Sequence, residues 1–442
     1  MTTAAVHRRT VLLLLLISAL ALALRVPGLS QSLWYDEMYT LLHYIAQPWS
    51  QIVAGEYSPN NHTLFTIAAK GCFLAGLSIR LPSLLAGAAV GIVLAWPLRR
   101  TAPATALVVA AVAALHPWLI SFSISARGYA LMLLLCAVAT TCLPIRPRLI
   151  DSRYALLSAA SLYTQPLALL AIVGHGVSVL VLRRDLLSTW VRSAAAAGAL
   201  AAILYWPMLA GAAGYWSGPS RPSTTYGQFV AGALTSAQTG LDHAPAVHLV
   251  VAAVIVLIGG AAAWPADALR PALITFAVAA GLGLTAPLLV PAAGEARAML
   301  WLIPLYCIGA TGLLSWPAPG ILRWACGVVL LAVLAASAWT VLHTPAQPIR
   351  EAIALARATA GPGGRVLGIY MASAEARRIY GGIDAVAYSV DEVQPADVAV
   401  VFYEDFVRRD QPELWNHLQD NYALVQRLPG RVAPAAVYRR RP

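Results

Sequence analysis

Apolar runs long enough to cross a bilayer alternate with short polar stretches through the first three quarters of the chain. They lie near residues 11–28, 81–98, 103–120, 128–145, 154–182, 193–211, 246–264, 272–290, 298–316 and 324–342. A helical span needs roughly 20 mainly apolar residues. The 154–182 run exceeds one span and is interrupted by Tyr163-Thr164-Gln165-Pro166. Proline ends or kinks a helix, so this run predicts two short helices meeting at one face. The total is about eleven spans. Residues 62–78 are apolar but carry Lys70, and they predict a helix lying in the membrane interface. From Thr344 the pattern changes. Residues 345–360 are amphipathic, 365–370 and 397–403 read as buried strands, 373–380 and 412–421 as helices, and 433–438 as a last strand. The pattern predicts an α-helical polytopic membrane protein over residues 1–343, followed by a small α/β domain over 344–442.

Composition agrees. Of 442 residues, 59% are hydrophobic and 11% charged, whereas a soluble domain is nearer a quarter charged. The charge is uneven. Up to residue 343 there are 18 Lys and Arg against 8 Asp and Glu; beyond it, 12 against 11. The basic surplus therefore belongs to the membrane part, where it sets orientation. These arginines are scattered between apolar runs and form no basic stripe, which excludes a nucleic-acid partner. Arg8 and Arg9 place the N-terminus in the cytoplasm, and the first run reads as an uncleaved span rather than a cleaved signal peptide. Arg99, Arg100, Arg146, Arg148, Arg153, Arg183, Arg184, Arg192, Arg270 and Arg323 then fall inside. The long loops 27–80 and 212–245, the segment 121–129, the break at 163–166, the loop 291–297 and the C-terminal domain fall outside. The five cysteines sit in or beside apolar runs with no metal or disulfide spacing. The alanine- and arginine-rich composition looks bacterial, which places the chain in the plasma (inner) membrane.

The candidate chemistry lies in the outer loops. Trp34-Tyr35-Asp36-Glu37 puts two adjacent carboxylates just past the first span, in a region with only eight acids. A carboxylate pair at a membrane surface is a candidate reaction centre; the alternative is a solvated loop start in an aromatic belt. Outer cations Lys70, Arg80, Arg127, Arg221 and Arg297 break the charge rule, and Lys70 is the only lysine. They meet something anionic or they snorkel to headgroups. Arg80 and Arg221 read as snorkelling, and Lys70 and Arg127 as functional. His62 and His43 stay open between hydrogen-bonding partners and, with Asp36, a divalent-cation site. A flippase or transporter for lipid-linked sugar would also have many spans and buried ions. It favours midplane charges and internal repeats, and here the charges gather at one face.

The order of motifs resembles a known family. The acidic pair is followed by Pro59-Asn60-Asn61-His62, Arg80-Leu81-Pro82-Ser83, Ala126-Arg127-Gly128-Tyr129, Leu162-Tyr163-Thr164-Gln165 and Arg297 opening a later span. Over roughly residues 11–310 this resembles the GT-C glycosyltransferases of family 39 type, which include protein mannosyltransferases and the lipid A aminoarabinose transferase. The resemblance implies an inverting transfer of a sugar such as mannose or arabinose. The donor would be a polyprenyl-phosphate carrier, the acceptor a hydroxyl of a lipid, glycan or protein, and the reaction site the outer face. It places the base at Asp36, with Glu37 beside it. Arg127, Lys70 and Arg297 become candidates for the donor phosphate, and Tyr35, Asn61, His62, Tyr163, Gln165 and Glu295 for substrate contacts. No cofactor is implied beyond the divalent cation left open above. The chain departs from the family at Asn60-Asn61-His62, where mannosyltransferases carry His-Pro-Pro. It departs again at Arg127, where relatives often carry Asp in that loop, and at Gln165, where they often carry His. Sugar and acceptor are therefore open.

Overall fold

The computed structural model describes residues 3–209, 211, 225–240, 246–289, 296–314 and 320–442. In chain order the helices are α1 (Thr3–Arg25), α2 (Tyr35–Thr40), α3 (Trp49–Ala54), α4 (Thr63–Leu74), α5 (Leu81–Ala95), α6 (Pro103–Leu115), α7 (Pro117–Ser123), α8 (Tyr129–Thr141), α9 (Ser152–Thr164), α10 (Ala168–Leu182) and α11 (Leu187–Tyr205). They continue as α12 (Tyr226–Thr239), α13 (Ala246–Val254), α14 (Gly260–Ala263), α15 (Arg270–Leu289), α16 (Leu302–Leu314) and α17 (Gly320–His343). The last are α18 (Ile349–Ala360), α19 (Ser373–Tyr380), α20 (Glu404–Asp410) and α21 (Pro412–Asn421). Five strands complete the chain: β1 (Val366–Ile369), β2 (Ala385–Ala387), β3 (Val398–Val401), β4 (Tyr422–Leu428) and β5 (Ala435–Arg440). The chain divides into two compact units, one of residues up to Leu29 with Gln47–Leu342, the other of Ser30–Ala46 with His343–Pro442.

The first unit is helical. Among the described residues four helical segments are long and apolar enough to cross a membrane: Ala4–Ser30, Leu81–Leu98, Arg184–Met208 and Gly320–His343. The bent pair α6–α7 makes a fifth, and six apolar helices of 10–17 residues accompany them. The predicted break at 163–166 appears between α9 and α10. The run 103–120 does not form the single helix its hydropathy predicts. It bends by 59° between α6 and α7, at His116-Pro117. Pro117 has no N–H for the carbonyl four residues back, and Arg25 reaches that carbonyl instead. Its Nη2 donates to Ala113 O at 3.3 Å, while Nε donates to Ser123 Oγ at 3.2 Å and Nη1 to Ala21 O at 2.8 Å. The predicted loop 212–245 also contains a helix, α12. Its start was written in a capping box, Thr225 with Gln228 three residues on, and Gln228 N donates to Thr225 Oγ1 at 3.3 Å. Its end falls at Gly240, whose φ of 69° is the left-handed conformation glycine adopts readily.

The second unit is a five-stranded sheet in the order β2-β1-β3-β5-β4. β1 lies parallel to β2 and β3, and β5 antiparallel to β3 and β4. Alternate residues of β1, β3 and β5 serve two cores. Val366, Val398, Val400, Ala435 and Val437 pack on one face with Ile349, Ala352 and Ile353 of α18, and with Met38 of α2. Leu367, Ile369, Ala399, Val401 and Ala436 pack on the other with Val407 of α20 and with Leu414 and Leu418 of α21. The sequence division at 343 assigns residues 30–46 to the membrane part, yet they group with the C-terminal sheet, and Met38 is buried in its core. A fully buried Met38 on a six-residue helix explains this: its apolar surface needs a core, and that core is the one under α18. β2 and α20 carry no strong pattern of their own and were not predicted.

Candidate active site

The acidic pair opens α2 in the second unit. Glu37 is fully buried, and its Oε2 accepts the Trp34 N–H at 3.2 Å. That bond occupies a backbone donor of the first turn, which has no partner inside the helix. Asp36 is buried as well, at 9% exposed. The helix is braced by Thr40, whose Oγ1 donates to the Asp36 carbonyl at 2.8 Å. Tyr35 packs edge-on against Tyr403, with ring centroids 6.1 Å apart. Burial, then the nearby negative charges of Glu375 and Asp36, push its phenol well above the usual range. His43 stacks on Tyr39 at 4.2 Å.

The remaining candidates belong to the first unit, and several converge on Gly128. His62 precedes α4 and is 1% exposed. Its Nδ1 accepts the Gly128 N–H at 2.8 Å, its Nε2 lies 3.5 Å from Gln165 Nε2, and its ring stands edge-on to Tyr129 at 4.7 Å. An accepting Nδ1 puts the ring proton on Nε2, so the Gln165 amide presents its oxygen there after a flip of the assigned orientation. A Cβ on Gly128 would lie 2.8 Å from His62 Nδ1 and from Thr164 Cγ2, which is why this position takes glycine. Burial, then the positive charges of Arg127 and Arg297, hold His62 well below its ordinary value. It is a neutral ring in a cationic neighbourhood.

Arg127 is 2% exposed. Its Nη1 donates to Asn60 O at 3.3 Å, its guanidinium lies 5.8 Å from the Tyr129 ring, and its carbonyl accepts Ser83 Oγ at 2.6 Å. The Arg80-Leu81-Pro82-Ser83 motif thus has a local meaning. Ser83 anchors Arg127, and Arg80 donates to the Gly28 and Leu29 carbonyls at 3.2 Å. Asn61 donates to Ile52 O at 2.8 Å, leaving its Oδ1 buried with no partner among the described residues. Lys70 points elsewhere: Nζ donates to Gln47 O and stands 5.1 Å from the Trp49 ring. Tyr163 packs edge-on to Tyr205 at 5.2 Å. Arg297 sits in the turn Ala296–Met299. Glu295 and Arg221 lie outside the described residues. Among the described residues no group of three or more His, Cys, Asp or Glu side chains is placed to hold a metal ion.

Two residues after Arg297, Met299 lines an apolar cavity of about 910 Å³, together with Val230, Leu234, Val256, Leu284 and Leu302. Sequence patterning did not reveal it, because its walls come from α12, which lies in a stretch read as a loop, and from helices α13 to α16, whose apolar faces read only as membrane spans.

His62 carries a pH signature. Its folded form resists protonation, while the unfolded chain takes up a proton near pH 6.5. The unfolded state therefore binds more protons at low pH, and stability falls as pH drops below about 6.5, by at most about 1.4 kcal/mol per pH unit for this group. His62→Gln is expected to lose less apparent Tm than wild type between pH 7.5 and pH 5. Equal losses would remove His62 as the responsible group.

The fold and site together describe a polytopic helical protein with a small α/β unit. The crystal structure of ArnT from Cupriavidus metallidurans in the apo state is similar, with a TM-score of 0.56 and 13% identity over 96% of this chain and 97% of that one. The structure of the same protein bound to undecaprenyl phosphate is similar at a TM-score of 0.53 and 13% identity, over 96% and 97%. At this identity the likeness concerns the fold, and it supports the GT-C fold expected from the motifs. No protein-family model matches the chain, and no curated protein matches it by sequence.

Proposed function

We propose that this protein is an inverting glycosyltransferase of the family 39 type. It would transfer a sugar from a polyprenyl-phosphate carrier to an acceptor hydroxyl at the outer face of a bacterial inner membrane. The observation that carries this reading is the positive charge of Arg127 and Arg297 acting on buried His62, together with the 910 Å³ apolar cavity that Met299 helps to line. A polyprenyl phosphate has the matching chemistry: an anionic head for guanidinium groups and a long apolar tail. The fold neighbour bound to undecaprenyl phosphate lends support.

In this mechanism Asp36 takes the proton of the acceptor hydroxyl as the oxygen attacks the anomeric carbon from the face opposite the phosphate. The C–O bond to the phosphate breaks, the configuration inverts, and the charge left on the phosphate is stabilised by Arg127 and Arg297. Lys70 is a further donor-phosphate candidate. Tyr35, Asn61, His62, Tyr163, Gln165 and Glu295 are retained as substrate contacts. The test is transfer in nanodiscs from a polyprenyl-phosphate sugar and from a nucleotide sugar. Transfer is expected only from the lipid-linked donor; turnover with the nucleotide sugar alone would sink the reading.

The arginine distribution adds an orientation with about eleven spans, an inner N-terminus and an outer C-terminal domain. A phosphatase reporter fused at Pro442 is expected to be active, and a cytoplasmic reporter at the same place silent. The reverse pattern would overturn the topology.

A further inference from the structure

Isolated helices shorter than about 12–15 residues are marginal in water, yet α2, which carries Asp36, has six residues and is continued only by the single π-helical turn Leu41–Ile45. Something outside the helix must hold it. Its N-cap, Trp34, makes no side-chain capping bond; an indole is a donor only. Glu37 takes the Trp34 N–H. The next donor, the Tyr35 N–H, goes to Gln347 Oε1 at 3.3 Å, across 312 residues of sequence. Gln347 is fully buried, and its Nε2 donates to Phe402 O at 2.7 Å. One planar amide thus runs from the residue that follows β3 to the first turn of the acid helix. Further bonds lock the approach to α2. Leu33 N donates to Tyr380 Oη at 2.7 Å, and Arg350 N donates to Ser32 Oγ at 3.1 Å.

We propose that Gln347 is the positioning residue for Asp36, and that a task of the C-terminal unit is to cap and orient the acid helix. This rests on the reading of Asp36 as base. Glutamine suits the position because one group must accept from Tyr35 and donate to Phe402. Glutamate has no donor for the Phe402 carbonyl when ionised, and asparagine is one methylene short.

The test uses the full chain in nanodiscs with a polyprenyl-phosphate sugar. Gln347→Met keeps the length and removes both bonds. It is expected to lower kcat roughly 10- to 100-fold, since a displacement of about 1 Å can cost 10²-fold, while KM for the donor stays within about twofold. Added to Asp36→Asn, Gln347→Met is expected to cause no further loss, because it acts through Asp36. If Gln347→Met does not fold, Tyr380→Phe, which deletes only the hydroxyl that accepts the Leu33 N–H, is expected to lower kcat roughly fivefold with the same unchanged KM. Wild-type kcat in the folded variant, a loss confined to KM, or a further multiplied loss in the double variant would overturn the positioning role. Wild-type turnover by Asp36→Asn alone would instead overturn the base on which it rests.

Discussion

Asp36→Asn is expected to reduce sugar transfer by roughly 10²- to 10⁴-fold, the usual contribution of a general base, while the protein folds normally. Asparagine has the same size and leaves the backbone undisturbed. The Thr40 bond goes to the main-chain carbonyl of residue 36 and survives. What disappears is the basicity that the proposed mechanism requires of this side chain. Glu37→Gln is a control with a different expectation. Glu37 is fully buried and spends Oε2 on the Trp34 N–H, an acceptor role that a glutamine oxygen can repeat, so the loss should be much smaller. The measurement is the initial transfer rate at saturating donor and acceptor. Wild-type turnover in Asp36→Asn would move the base elsewhere in the chain.

Arg127→Ala carries the second large effect. Loss of one charge-assisted hydrogen bond to the donor phosphate costs about 1.5–3 kcal/mol, or on the order of 10- to 150-fold in donor use, with acceptor dependence nearly unchanged. Arg127→Lys keeps the charge but loses the planar fork, so it should recover only part of the affinity. The Ser83 bond reaches the carbonyl of residue 127 and persists in both variants, which protects the local fold. Lys70→Ala should have the smaller effect, because Nζ is already engaged with the Gln47 carbonyl. Transfer rates measured against donor concentration give the comparison. An unchanged donor dependence in Arg127→Ala would remove this cation from the phosphate site.

Much of the architecture follows from local sequence. Apolar runs of about 20 residues form buried or lipid-facing helices, and Pro166 breaks one of them where a proline must. Short continuous apolar runs mark β1, β3 and β5, because a strand covered on both faces buries successive side chains in two cores. Several of the motifs come together in space: Asn60-Asn61-His62, Arg127-Gly128-Tyr129 and Gln165 meet around one glycine. Even the unpredicted α12 announced itself through Thr225, Gln228 and Gly240, signals of a few residues that hydropathy averages away.

The rest depends on distance in the chain. Nothing near Arg25 says that it will take the carbonyl freed by Pro117, since their separation in sequence is 88 residues. Nothing near Asp36 says that its helix will be capped by Gln347 or will bury Met38 beneath α18. His62 is an ordinary histidine in sequence; its neutrality arises only when burial and two arginines surround it. Capping, turn and periodicity signals are interactions between near neighbours, so the chain states them directly. A bond to a remote backbone group, or a cavity walled by five separate helices, comes into being only when folding brings those surfaces together.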